Sequence, residues 1–196
     1  MNTYGFFALL SRMKYINRWG LMRANRNENL SEHTLDTAFL VHALCAIANK
    51  KYNSKVNVEA VITATLYHDA SEILTGDMPT PVKYNNSDLK IAYKKTEADA
   101  QNRLVELLPV ELKDEIGKYI KCNNLTEHEK QILKAADRIS AIVKCIEEEQ
   151  AGNNEFIGAK KTQLKALNEM HLPEVEYFIK YMLPCYKLTL DELVEM

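Results

Sequence analysis

The chain has 196 residues, 46% of them hydrophobic and 27% charged, a composition typical of globular proteins and not of disordered ones. Its 25 Lys+Arg against 27 Asp+Glu give a formal net charge of -2, which excludes the basic field that carries proteins onto nucleic-acid polymers or membrane surfaces. Folding at this size removes roughly 70% of the unfolded chain's surface, so a single domain over residues 1–196 needs no structural metal, and a metal found here would serve function.

The first residues, MNTYGFFALLSRMKY, lack both a cationic stretch before the short apolar run and a small-residue cleavage site; they do not form a signal peptide, and the expected address is cytoplasmic. Ser31 is positioned to cap a helix running to about Asn49, with Leu35, Ala38, Phe39, His42 and Ala46 on its apolar stripe. The weakly polar stretch from Thr37 to Ala48 is 12 residues long, short of the about 20 that span a bilayer. Asn57 caps a second buried helix from Val58. After Ile73 the pattern breaks in TGDMPTPVKYNNSD, where Pro79 and Pro81 remove two backbone donors and push Met78 and Thr80 out of the helical region, giving an ordered loop.

A polar amphipathic helix follows from about Asp88 to Leu108, and Pro109 opens a shorter one. Thr126 to Glu129 reads as a capping box, ahead of a long helix with Ile132, Ala136, Ile139, Val143 and Ile146 on its core stripe and Glu147, Glu148 and Glu149 at its end. Further helices are expected over Glu155 to Met170, Glu174 to Met182 and LTLDELVEM. With 6 Gly, 5 Pro and no strand-like alternation, the fold class is all-α. Cys45, Cys122, Cys145 and Cys185 form no CxxC pair and read as reduced, mostly buried thiols.

Several polar residues stand where packing alone would prefer apolar ones. His68 and Asp69 close the run VEAVITATLY, and Asp137 has Leu133 and Ala141 one turn away on either side. A buried carboxylate is costly unless paired, hydrogen-bonded or coordinated, and a cation meets all three needs. His33 adds a second imidazole, completing a mixed N/O set suited to borderline divalent metals such as Mn, Co, Fe or Zn. His42, His128 and His171 read instead as ordinary satisfied histidines.

The ordered blocks Arg18-Trp19, Ser31-Glu32-His33, HDASEILTGDMPTPVKY from His68 to Tyr84, and Ala136-Asp137-Arg138 resemble the bacterial 5′-deoxynucleotidases of the HD-domain metal phosphohydrolases, an all-α superfamily. The likeness runs from Gly5 to about Leu190, with mild departures such as Met78 where Leu is common. It implies a helical bundle of the HD-domain type that releases phosphate from 2′-deoxyribonucleoside 5′-monophosphates. It also implies one divalent cation held by His33, His68, Asp69 and Asp137, which would lower the pKa of a bound water toward about 7 and neutralise phosphoryl charge. A homodimer is implied as well.

Glu72 follows His68 by four residues, so both face one way if the helix continues through Ser71. Being surplus to the ligands, it is the candidate acid/base group, a role the resemblance shares; otherwise it is a solvated carboxylate at a helix end. Arg18 alone reads as a surface arginine before Gly20, and Trp19 as a core residue. The resemblance implies instead that Arg18 orients the phosphate as a planar fork and that Trp19 walls the sugar. It likewise places Asp77, Met78, Pro79 and Thr80 against substrate, together with Asp69 and Asp137; Asp77 either caps a turn or binds a sugar hydroxyl and assists proton transfer. Two other readings stand beside this one: another HD phosphohydrolase acting on diesters, triphosphates or alarmones, and a non-catalytic nucleotide-binding module. No second-metal ligands beside His33 or His68 favour the first, and the full ligand set with Glu72 argues against the second.

Overall fold

Helix forms almost everywhere the 3.6-residue apolar spacing runs in the computed structural model, which describes residues 3–83 and 86–196. Tyr84, at the end of the longest motif block, lies outside the described residues. The helices are α1 (Phe6–Leu10), α2 (Leu30–Lys51), α3 (Val58–Thr65), α4 (Glu72–Thr75), α5 (Thr80–Lys83), α6 (Ser87–Glu106), α7 (Lys113–Ile120), α8 (Glu127–Gln150), α9 (Ile157–Asn168), α10 (Pro173–Tyr181) and α11 (Leu190–Val194). Among the described residues extended pairing is confined to one bridge, Asn17 with Asn29. The all-α expectation holds. No helix among the described residues is long and apolar enough to cross a membrane.

Helices α2 and α8 pack together along their lengths, with α3 and α10 completing the main core. Leu44 and Cys45 from α2, Val61 from α3, Ile132 and Ile139 from α8, and Phe178 from α10 meet there. A smaller cluster of Phe6, Ala70, Leu104, Leu108 and Ile120 ties α1, α6 and α7 to the turn after α3. All four cysteines are free; Cys45 and Cys145 are buried, and burial pushes both thiols up to about 12.

The capping signals are partly as expected. Thr126 and Glu129 close a capping box on α8, and Asn57 caps α3 through Ala60 N–H. Ser31, however, is not the cap of α2. Asn29 takes that place, accepting from the amides of Ser31 and Glu32 while Glu32 answers the Asn29 N–H. The apolar stripe of α2 also differs from the expected one. Leu35 and Phe39 are exposed at 54% and 65%, and His42 is exposed too, whereas Leu40, Val41, Leu44, Cys45, Ile47 and Ala48 are buried. The whole segment is so rich in apolar residues that two adjacent stripes look alike, and only contact with α8 selects one.

The expected loop after Ile73 is partly helical: α4 ends on its first residue, Thr75, and α5 forms within it, beginning at Thr80, which was expected to be non-helical. Gly76, at φ 75°, ends α4 in a conformation that side chains disfavour, and Val82 and Lys83 then donate to the Pro79 carbonyl to start α5. Pro81 falls in the first turn, where a missing N–H costs little.

Candidate metal centre and adjoining cavity

His33 lies in the first turn of α2 and is fully buried. Asp137, from the middle of α8, places Oδ1 3.1 Å from His33 Nε2. His68 and Asp69 follow the end of α3, where the chain tightens: Tyr67, His68 and Ala70 each donate to the carbonyl three residues back. The helix therefore does not run through Ser71. Glu72 starts α4 by donating its N–H to Asp69 O at 2.9 Å, so Glu72 and His68 do not share one continuous helical face. The i, i+4 reasoning fails there because the connection uses i to i−3 turns.

Those turns place Asp69 Oδ2 3.1 Å from His68 Nε2 and 3.6 Å from His33 Nε2. His33, His68 and Asp69 each offer a ligand atom, all within 4.8 Å of one another, and Asp137 joins them through His33. His68 Nδ1 donates to the Thr65 carbonyl at 2.7 Å, which fixes the proton on that nitrogen. Its Nε2 is buried and makes no hydrogen bond. With Nδ1 anchored on a carbonyl, Nε2 turns toward the carboxylates and in the neutral ring carries the lone pair that a metal would take, so the donors fit a divalent cation.

Burial opposes charge throughout this cluster, and the neighbours decide the outcome. Burial would lower His68, but Asp69 raises it to about 9. Burial would raise Asp69, yet His68, His33 and Arg18 hold it well below the usual carboxylate range; Asp137 is also lowered, by His33 and Arg18 against its own desolvation. Glu72 behaves oppositely. Desolvation first, then the Asp69 and Asp77 carboxylates, push it up to about 9 against Arg18 and Lys83. It is buried with Oε2 unpaired, which removes the reading as a solvated helix-end carboxylate. Asp77 is raised mainly by burial, with Arg18 opposing.

A cavity of about 710 Å³ adjoins this cluster. It is lined by Arg18, Trp19, Asp77, Met78, Pro79, Thr80 and Asp137, with Lys134, Arg138 and Gln163 among those on its α8 and α9 side. His33, His68, Asp69 and Glu72 are not in its lining. The two regions meet at Asp137 and Arg18, whose Nη1 lies 3.5 Å from Asp69 Oδ2. Asp137 was expected to be a buried carboxylate, but its side chain keeps 41% of its surface open because it faces this space.

Arg18 is not a surface arginine: its side chain is 13% exposed. Burial works against its charge, and Asp137, Asp69, Glu28 and Asp77 together maintain it. Trp19 is half-buried at the cavity edge, its ring 5.2 Å from that of Phe156 and its Nε1 donating to Glu28 Oε2 at 2.6 Å. Glu28, Lys134, Arg138 and Gln163 are additions that sequence reasoning did not single out. Arg138 stood inside the Ala-Asp-Arg block, and its Nη1 donates to Gln163 Oε1 at 2.6 Å. Glu28 lies in RANRNEN, where nothing distinguishes it from a solvated loop residue.

The chain is similar to several known proteins. The family described as 5′-deoxynucleotidase YfbR-like matches residues 5–186. A 5′-deoxynucleotidase of Enterobacter sp. (strain 638) is 48% identical over 193 residues, covering 98% of this chain and 97% of the relative. One from Yersinia pestis (strain Pestoides F) is 48% identical, with 96% and 95% covered. Among solved structures, an HD-domain phosphohydrolase from Listeria innocua superposes with a TM-score of 0.82 at 24% identity, covering 92% of this chain and 87% of the other. A cyanophage S-2L HD phosphohydrolase bound to dA and one catalytic Zn2+ ion gives 0.66 at 18% identity, with 90% and 93% covered.

Proposed function

This chain belongs to the YfbR-like 5′-deoxynucleotidase family, and we propose that its metal centre and cavity divide the labour of releasing phosphate from 2′-deoxyribonucleoside 5′-monophosphates. The observation that carries the reading is the meeting of the His33, His68 and Asp69 donor cluster with a nucleotide-sized cavity at Arg18 and Asp137. A divalent cation held by His33, His68, Asp69 and Asp137 would supply an acidified water and neutralise phosphoryl charge. Cobalt, manganese, iron and zinc all suit the N/O donors.

The chain's own groups do the rest. Arg18 offers its remaining guanidinium N–H groups to the phosphate oxygens and sets the phosphorus in line for attack. Glu72 orients the attacking water and takes its proton. In the bare chain Glu72 is held up at about 9 by burial and then by Asp69 and Asp77, carboxylates whose charge cation binding would offset, so ionisation near neutral pH belongs to the loaded site. As the bond from phosphorus to the 5′-oxygen breaks, a proton goes to that oxygen; Asp77, raised by burial, is placed to assist it and to bind a sugar hydroxyl. Met78, Pro79 and Thr80 continue the wall beside the nucleoside. Trp19 presents an indole where a 2′-hydroxyl would lose its water without replacement, a loss of roughly 1–3 kcal/mol.

The test is phosphate release from deoxy- and ribonucleoside 5′-mono-, di- and triphosphates with the metal varied. Deoxymonophosphates are expected to be preferred, and Trp19→Leu to narrow the deoxy-to-ribo ratio of kcat/KM by about tenfold. Equal rates for both sugars in the wild type would sink the selectivity assigned here, and release confined to triphosphates would overturn the monophosphate reading. A cytoplasmic homodimer is the working form we infer from the family resemblance; a monomeric mass by light scattering would overturn the dimer.

A further inference from the structure

We propose that Glu28 is a positioning residue that aims both Arg18 and Trp19, coupling the phosphate clamp to the sugar wall through one carboxylate. The inference rests on the roles given to Arg18 and Trp19 above. Its basis is a closed loop. Leu30 N–H donates to Ile16 O at 2.9 Å, Arg18 N–H donates to Glu28 O at 2.9 Å, and Asn17 pairs with Asn29 across the neck. Glu28 is therefore fixed opposite Arg18 on the facing leg, at a place set by backbone bonds and not by its own side chain.

From there a single oxygen addresses two residues. Glu28 Oε2 accepts from Trp19 Nε1 at 2.6 Å and lies 3.4 Å from Arg18 Nε, while Oε1 is 3.9 Å from His33 Nδ1. The Glu28 side chain is only 11% exposed, so these contacts act with little screening. Arg18 thus lies between two carboxylates at ion-pair distance, Glu28 facing Nε and Asp69 facing Nη1; Nε makes no hydrogen bond, so Glu28 acts on it through charge.

Trp19 supplies a separate observation. Its φ is 62°, in the left-handed region that bulky residues rarely adopt and keep only where the surroundings over-determine it. The indole bond to Glu28 and the packing on Phe156 hold the side chain, and the Met22 N–H donated to Trp19 O at 2.8 Å holds the backbone. Without Glu28 the indole would swing away from the cavity edge, whatever happens at the metal ligands.

Trp19 is the chain's one tryptophan, so intrinsic emission reports its placement without reference to activity. In Glu28→Ala, emission should shift to the red and acrylamide quenching rise, KM for a 2′-deoxynucleoside 5′-monophosphate should increase about tenfold, and the deoxy-to-ribo ratio should fall by a similar factor. Affinity for Mn2+ or Co2+ should change far less than KM, because His33 Nδ1 lies nearer to Ser140 Oγ, at 3.2 Å, than to Glu28. Glu28→Gln keeps a neutral acceptor for the indole and removes the charge facing Arg18, so emission and sugar ratio should hold while KM alone rises. A folded Glu28→Ala with wild-type emission and KM overturns the proposal. If that variant does not fold, an unchanged KM in Glu28→Gln overturns it. Should the wild type fail to discriminate sugars, the selectivity reading of Trp19 fails, and emission and KM still decide the role of Glu28.

Discussion

His33 and Asp137 are carried by two long helices whose facing sides make the main core, whereas Arg18 and Trp19 are carried by an irregular loop with almost no core of its own. The helices satisfy their backbone groups internally. The loop borrows partners from the end of α8: Glu148 accepts from Asn25 N–H at 2.8 Å and Arg26 N–H at 3.3 Å, Lys144 Nζ donates to Arg26 O at 2.6 Å, and Asn153 Nδ2 donates to Arg23 O at 2.7 Å. Lys144 and Glu148 also pair with each other at 2.6 Å, both nearly without exposure. His33 and Asp137 are thus held by the core helices, while the loop rests mainly on polar contacts, the Lys144–Glu148 network among them, and is expected to open at lower cost than the core. The proposed binding of phosphate and sugar is therefore the part of the site expected to weaken alone.

The comparison is broken most completely at the centre. His68→Ala or Asp137→Ala should abolish divalent-metal binding and turnover while far-UV circular dichroism keeps its helical signal, since the core needs no metal. Full activity in either variant would remove the proposed centre. Next comes Glu72→Ala, which should lower kcat by about 10²–10⁴ with metal affinity retained and KM little changed. A rise in KM alone would make Glu72 a binding residue.

The loop side should respond differently. Lys144→Met leaves the buried Glu148 charge without its cation and should cost about 3 kcal/mol in urea unfolding. It should also raise KM more than it lowers kcat, with metal affinity unchanged, because Arg26 O loses its tether. A parallel loss of metal affinity would show that loop and centre are one cooperative unit. The smallest effect is in acid. Although desolvation opposes it, hydrogen bonds from Lys144, Asn25 and Asn153 lower Glu148 from 4.5 to about 2. A lowered carboxyl stabilises the fold fully above its unfolded value and loses that contribution as pH falls from about 4.5 through 2. Glu148→Gln should flatten that limb of the stability profile, and an unchanged limb would remove Glu148 as its source.

Much of this architecture is local and therefore legible in residue order. The 3.6-residue spacing, the Thr126–Glu129 box and the Asn57 cap depend on neighbours within a turn or two, so the helices and most of their starts can be read without coordinates. The proposed ligands are legible for another reason: His68, Asp69 and Asp137 stand in or beside apolar runs and need a chemical account there, while His33 and the joining of all four rest on the family resemblance. Tertiary structure decided what depends on distant partners. It selected the buried stripe of α2, gave the cap to Asn29 over Ser31, and broke the helix between His68 and Glu72. It also buried Glu28 and Glu148 in polar contacts with residues up to 123 positions away. Composition cannot distinguish those two carboxylates from solvated ones, because what separates them is the backbone and side-chain donors that folding brings to their oxygens.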